Sequence, residues 1–284
     1  MKNKLFTTAP LPFQGQKRRF SASFILALNE LKKKKDIKVV VDLFGGSGLL
    51  SHIAKNVLPD SRVIYNDYDG YTDRLRNVLR TNGLLSDIRT LIPEGLTDNQ
   101  RLPPELSKNI LNRIQKEAQT GFVDYITISA SLTFSGKYAT SFEELSILGF
   151  YNKIKAADYD FNAEEYLCGL EIEYCNYKEL YEKYKDEPGV LFVVDPPYLS
   201  TDTSSYKSDK YWKIRDYLDV LHVLVDTNYI FFTSNKSEIT DLCLWLEENQ
   251  PFENPFANSV LNIQNNSVNY SSSYTDIMLY KFCK

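Results

Sequence analysis

The chain has 284 residues, of which 43% are hydrophobic, enough for a real core and for one large domain, or for one core carrying an insertion. Its formal net charge is −4, which excludes a global basic field for nucleic acid, so any such partner must meet local basic patches. Two histidines and four cysteines without CxxC spacing (Cys168, Cys175, Cys243, Cys283) offer no metal set. No signal peptide or apolar run of membrane-spanning length is seen, and a cytoplasmic protein with no metal and no membrane partner is expected.

The first informative stretch is Pro12-Phe13-Gln14-Gly15-Gln16-Lys17, where Gly15 permits a tight turn. A helix is predicted from Ser21, with Phe24, Leu28 and Leu31 on one face. Lys32 to Lys35 complement its C-terminal dipole, and read as a solvated helix end before they read as a DNA contact. Lys17 by itself reads as a surface lysine. Next, Val39-Val40-Val41-Asp42 reads as a buried strand, Leu43-Phe44-Gly45-Gly46-Ser47-Gly48 as a glycine turn, and Leu49 to Val57 as a helix. Such a turn brings a ligand close to the backbone beside free N–H groups. The pattern nearly fits the dinucleotide fingerprint, with Ser51 where Gly or Ala is usual. A second strand, Arg62 to Tyr65, ends in Asn66-Asp67, and an acid at that distance from the glycine turn commonly holds ribose hydroxyls. The plainer reading makes Asp67 a cap for a helix over Tyr71 to Leu79. Nicotinamide cofactors and S-adenosylmethionine both carry adenosine, so these motifs point to adenosine and not yet to a reaction.

From Leu85 to about Glu165 the α/β rhythm breaks. A polar link with Pro93, Pro103 and Pro104 leads to a helix over Glu105 to Gln119. Tyr125-Ile126-Thr127-Ile128-Ser129 reads as a strand, and Leu132 to Tyr138 as a hairpin or exposed loop. The small polar, aromatic and basic residues of this insertion suit contact with a polymer, or serve structure alone.

The rhythm resumes at Leu170 to Tyr174, a strand, followed by Cys175-Asn176-Tyr177 opening a helix to about Tyr184. Val190 to Val194 is too short for most helices and right for a central strand. It ends at Asp195-Pro196-Pro197-Tyr198, the edge where open α/β sheets bind ligands. The prolines remove two N–H donors, leaving a carboxylate, carbonyls and an aromatic face. That acceptor-rich turn suits an exocyclic base amine, whose two hydrogens must be accepted before its lone pair can localise. Beyond it, Leu199 to Trp212 reads as a lid or groove wall containing Tyr206. A helix over Asp216 to Asp226, a strand over Tyr229 to Thr233, a helix over Ser237 to Glu248 and terminal strands including Asp276 to Phe282 complete a mostly parallel sheet.

Together these residues resemble the Dam-type family of DNA adenine-N6 methyltransferases, over most of the chain. The resemblance implies a Rossmann-like S-adenosylmethionine-dependent methyltransferase fold, with a catalytic domain over 1–84 and 166–284 and an inserted target-recognition domain over 85–165. It implies catalysis by Asp195, Pro196, Pro197 and Tyr198. It implies S-adenosylmethionine binding by Phe13, Lys17, Asp42, Phe44, Gly45, Gly46, Ser47, Gly48, Asp67, Asn176, Tyr177 and Asp195, with Lys17 opposite the methionine carboxylate. Asn176 stands where the family usually has an aspartate for the cofactor adenine; its carbonyl still accepts one hydrogen bond. Phe134-Ser135-Gly136-Lys137-Tyr138 is similar to the family's recognition hairpin, with Ser135 in place of its usual asparagine. Ser135, Lys137, Tyr138, Thr140 and Tyr206 are the expected nucleic-acid contacts. Double-stranded DNA is the expected partner of a monomer or weak dimer, and the target adenine must leave the helix to react. The alternatives are the same chemistry on RNA or on cytosine N4, and a non-catalytic DNA-binding relative. A dehydrogenase using the glycine turn leaves Asp195 to Tyr198 unexplained.

Overall fold

The computed structural model describes residues 5–134, 138–154, 160–198, 212–235, 237–269 and 272–283. The chain divides into two compact units. One comprises Met1–Thr8, Gly15–Asp69 and Glu165–Lys284; the other comprises Ala9–Gln14 and Gly70–Glu164.

The first unit is built on a seven-stranded sheet. Its strands are β1 (Val39–Asp42), β2 (Arg62–Asn66), β3 (Glu171–Glu173), β4 (Val190–Val194), β5 (Tyr229–Ser234), β6 (Val260–Asn269) and β7 (Ser272–Lys281), in the spatial order β3-β2-β1-β4-β5-β7-β6. The first five in that order are parallel, and β7 runs antiparallel to both β5 and β6. Every residue of β1, β4 and β5 is buried, which is why their sequences are near-continuous apolar runs rather than alternating ones. Alternation shows instead in which face each residue serves. Val40, Leu191, Val193, Ile230 and Phe232 join one core with Phe24, Leu28 and Leu31 of α1 (Ser21–Lys34) and Ile53 of α2 (Leu49–Val57). Val39, Val41, Phe192, Val194 and Phe231 join the other. There they meet Leu180 of α8 (Tyr177–Tyr184), Tyr217 and Leu221 of α9 (Ile214–Leu224), and Ile239 and Cys243 of α10 (Ile239–Asn249). This is the Rossmann-like, doubly wound arrangement the sequence predicts. Strand order reverses between β1 and β4, so a crevice opens at their carboxyl ends, where ligands bind in such sheets.

The second unit is helical: α3 (Tyr71–Arg76), α4 (Val78–Leu91), α5 (Pro104–Thr120), α6 (Tyr125–Leu132) and α7 (Phe142–Ser146). Leu84, Leu85, Ile88, Ile110, Ile114, Ile128, Leu132 and Phe150 form its core. It takes in Gly70–Glu164, and Leu85, where the sequence predicts the insertion to start, lies inside α4. It also takes in residues 9–14, because Leu11 exchanges hydrogen bonds with the Tyr71 hydroxyl at 2.9 and 3.1 Å and Arg74 donates to the Pro12 carbonyl at 2.7 Å. The strand predicted over Tyr125 to Ser129 is a helix. Asp124 caps it by accepting from the Thr127 amide at 3.0 Å, and Ile128 and Leu132, one turn apart, bury together. The cap and the tertiary register outweigh the β-propensity of the Ile-Thr-Ile run.

Candidate active site

Asp195 leaves the end of β4 with its side chain 15% exposed. Its Oδ2 lies 2.6 Å from Lys17 Nζ, and Lys17 itself is only 9% exposed. Gly15, at φ 81°, turns the chain so that the Lys17 ammonium also donates to the Gly15 carbonyl at 2.7 Å. The ammonium lies 5.2 Å from the Tyr198 ring centroid and 6.0 Å from that of Phe232. Lys17 is thus no surface lysine: it is buried against the Asp-Pro-Pro-Tyr turn. The second carboxylate oxygen, Asp195 Oδ1, is buried with no hydrogen-bond partner among the described residues. Burial raises the Asp195 pKa above the usual carboxylate range, with Lys17 opposing that rise.

A second buried carboxylate stands on the neighbouring strand. Asp42 ends β1, level with Val193, and its Oδ2 accepts from Ser51 Oγ at 2.7 Å. Its Oδ1, like that of Asp195, is buried without a hydrogen-bond partner among the described residues. Burial pushes Asp42 up to a pKa of about 7; the Ser51 hydroxyl opposes this and the nearby Asp195 adds to it.

The glycine turn lies between β1 and α2. The Gly48 amide closes it on the Gly45 carbonyl at 2.7 Å, with Gly46 at φ 49° and Gly48 at φ 73°. A Cβ on Gly45 would lie 2.3 Å from the Tyr65 ring, so only glycine fits there. Asp67, 2% exposed, follows β2. Its backbone amide donates to Glu173 O at 2.8 Å and its Oδ1 faces the Tyr65 hydroxyl at 3.0 Å. The cap position of α3 is Gly70. Asn66 ties the strand ends together, donating to Leu43 O at 2.9 Å and Cys175 O at 3.0 Å.

The remaining expected residues are placed as follows. Asn176 caps α8, accepting from the Lys178 amide at 2.9 Å. Tyr177 is buried and packs on Phe44 at 4.8 Å and Trp212 at 5.9 Å, inside the core. Phe13 belongs to the helical unit, where its ring meets Tyr71 edge-on at 5.7 Å. In the same unit Tyr138 is half-buried and exposed Thr140 bonds Glu144 Oε2 through its amide at 2.7 Å and its hydroxyl at 3.0 Å. Ser135, Lys137 and Tyr206 lie outside the described residues, as does most of the predicted lid. Sequence reading did not single out Tyr68 and Tyr174. Their rings stack at 6.2 Å and 17°, they are 45% and 66% exposed, and each immediately follows the end of its strand or the Asp67 step beyond it. Two exposed aromatics at matching strand ends were the available signal. Among the described residues no group of His, Cys, Asp and Glu is arranged to hold a metal ion, and no helix is long and apolar enough to cross a membrane.

A glycine turn, a buried acid one strand over, and the Asp-Pro-Pro-Tyr turn thus gather at the carboxyl edge of a doubly wound sheet, at its switch point. The chain matches the D12 class N6 adenine-specific DNA methyltransferase family over residues 13–220, and it belongs to that family. A Haemophilus influenzae protein named "Putative methyltransferase" is 36% identical over 281 residues, covering 98% of this chain and 94% of that protein. The solved structure of precorrin-6y C5,15-methyltransferase from Geobacter metallireducens GS-15 aligns over 98% of this chain and 99% of that one. At 10% identity and a TM-score of 0.36, it carries no argument. The dehydrogenase alternative falls with the family match, and methyl transfer from S-adenosylmethionine to adenine is the chemistry of this family.

Proposed function

We propose that this chain methylates N6 of an adenine turned out of duplex DNA, with Asp195 as the group that aims the amine. One observation carries the assignment: the Asp195 carboxylate has one oxygen held by Lys17 and the other buried with no partner among the described residues. A buried acceptor without a donor is costly, and an N6 hydrogen would satisfy it. The Pro196 carbonyl is the second acceptor in the reading. With both hydrogens accepted, the N6 lone pair leaves conjugation with the ring and points along the in-line path. Tyr198 stacks on the extruded base. Such catalysis is mostly orientation and fixed electrostatics.

The residues fit S-adenosylmethionine. When bound, it supplies an electrophilic methyl group on a positively charged sulfur. Among the described residues, Asp42 and Asp195 bring two buried carboxylates against the ammonium of Lys17, which suits a cationic ligand. Asp67 takes the ribose hydroxyls, Tyr68 offers a ring to the adenine, and the turn Gly45 to Gly48 lets the methionine portion approach. Lys17 opposes the rise that burial causes in the Asp195 pKa, and in this reading it is the acceptor's partner rather than an isolated cation for the methionine carboxylate. The helical unit, with Tyr138 and Thr140, is the reading for target recognition.

The test is transfer of labelled methyl groups to duplex DNA, to RNA and to no acceptor, with digestion to nucleosides. Wild-type protein should yield N6-methyldeoxyadenosine on DNA, and Asp195→Ala should yield none while keeping its circular dichroism spectrum. Label on RNA or on cytosine, or an Asp195→Ala variant as active as wild type, would sink the proposal.

A further inference from the structure

The glycine turn is held from behind by residues that belong to no motif. Tyr166 is fully buried, and its hydroxyl donates to the Ser47 carbonyl at 3.0 Å. Its own backbone carbonyl accepts from His52 Nδ1 at 2.6 Å, and its ring stacks on the His52 ring at 5.0 Å and 20°. His52 Nε2 in turn accepts the Phe6 amide at 2.9 Å. One nitrogen donating and the other accepting makes His52 a neutral ring with its proton on Nδ1. The Phe6 ring closes edge-on over both partners, at 5.3 and 5.1 Å. The next residue, Leu167, stands 3.0 Å from where a Cβ on Gly48 would lie. The segment that follows the helical unit, from Glu165, is therefore fastened to α2 and to the turn together.

Peptide planarity turns this into a statement about ligand presentation. The C=O and N–H of a trans peptide point in opposite directions. With the Ser47 carbonyl held by Tyr166, the Gly48 N–H of the same peptide must face the other way, where it closes the turn on Gly45. The Tyr65 hydroxyl holds the preceding carbonyl, Gly46, at 2.8 Å, but Asp67 Oδ1 at 3.0 Å competes for its single hydrogen. The turn contains two glycines at positive φ, which resist peptide rotation weakly. We infer that Tyr166 is a positioning residue for the cofactor: its hydroxyl fixes the peptide plane between Ser47 and Gly48, and so sets affinity for S-adenosylmethionine without taking part in methyl transfer. This rests on the reading of Gly45 to Gly48 as the cofactor turn.

Tyr166→Phe keeps the ring and its stack and removes only the hydroxyl. Calorimetric titration with S-adenosylmethionine and with S-adenosylhomocysteine should show Kd raised about three- to tenfold, the scale of one net hydrogen bond. KM for S-adenosylmethionine should follow, while kcat at saturation stays within about twofold of wild type, the mark of lost uniform binding. Tyr184→Phe, a buried tyrosine of the same unit away from the turn, should change neither. Wild type that binds, beside a Tyr166→Phe variant of equal affinity or one losing kcat instead, would overturn this inference alone. Wild type that fails to bind would overturn the cofactor reading beneath it. If Tyr166→Phe does not fold, hydrogen exchange on the wild type decides. S-adenosylhomocysteine should protect amides 45–52 and 165–169 together, and protection of the turn without the second segment would overturn the inference.

Discussion

Lys17→Met tests the role of the ammonium beside Asp195. Methionine keeps an apolar stem against the Tyr198 and Phe232 rings and removes only the charge. Removing one partner of a buried ion pair costs about 3–5 kcal/mol. Asp195 retains 15% exposure, so the lower end, about 3 kcal/mol, is the appropriate scale. The protein escapes that cost by protonating Asp195, which burial already favours. A protonated carboxyl group carries a donor where the amine needs an acceptor, and about 3 kcal/mol corresponds to roughly a hundredfold loss of rate at neutral pH. Because the loss comes from protonation, it must reverse as pH rises. Single-turnover methyl transfer at saturating S-adenosylmethionine, followed from about pH 6 to about pH 10, should show the acid limb of the variant moved to higher pH. A fall of equal size at every pH would refute the argument. A change confined to KM for S-adenosylmethionine would also refute it, and return Lys17 to the methionine carboxylate.

Two further variants probe the cofactor side. The folded-state pKa of Asp42, about 7, lies above its ordinary 3.8, so this group's stabilisation is complete below about pH 4 and is lost as pH rises towards 7. Asp42→Asn should therefore raise the melting temperature of the unliganded protein at pH 8, by up to about 4 kcal/mol in stability, while weakening S-adenosylmethionine binding; a lower melting temperature at pH 8 would contradict the burial argument. Asp67→Ala should weaken S-adenosylmethionine binding by about 1–3 kcal/mol, the scale for hydrogen bonds to a charged group, and unchanged affinity by calorimetry would remove Asp67 from the ribose site.

The sheet was legible because its buried parallel strands are short, continuous apolar runs bounded by turn signals. Val39 to Asp42, Val190 to Val194 and Tyr229 to Ser234 are apolar on both faces, and each central strand end carries a residue out of keeping with a core. The helical unit was less legible. Tyr125 to Ser129 has strand composition, and only Asp124 before it marked a helix start. The unit's edge at Gly70 could not be read from rhythm, because α3 and α4 continue the helix-after-strand pattern while Tyr71 and Arg74 of α3 bond Leu11 and Pro12, some 60 residues earlier in the chain. The same limit applies to the site. Lys17 meets Asp195 and Tyr166 meets Ser47 across separations that no motif spacing reports. Tyr177, read as a cofactor residue beside Asn176, faces inward because the first turn of α8 must cover Phe44.

The charges at the strand ends explain why this crevice is both poised for its ligand and costly to fold. Asp42 and Asp195 are buried at the ends of adjacent strands, each with one oxygen satisfied and one without a partner among the described residues. Among those residues the ammonium that stands against them is that of Lys17. Interiors do not hold unpaired charge; the group shifts its pKa and neutralises instead. Both aspartates show that response, and the rise at Asp42 is increased by Asp195 itself. Among the described residues these two carboxylates face one ammonium, and a proton is the substitute the site can draw from water. On the proposed reading, a sulfonium ligand would supply a second positive charge while both carboxylates remained acceptors. The same imbalance would then lower stability without the cofactor and favour its binding. A better-paired crevice would fold more stably, but would have no acceptor left for an amine.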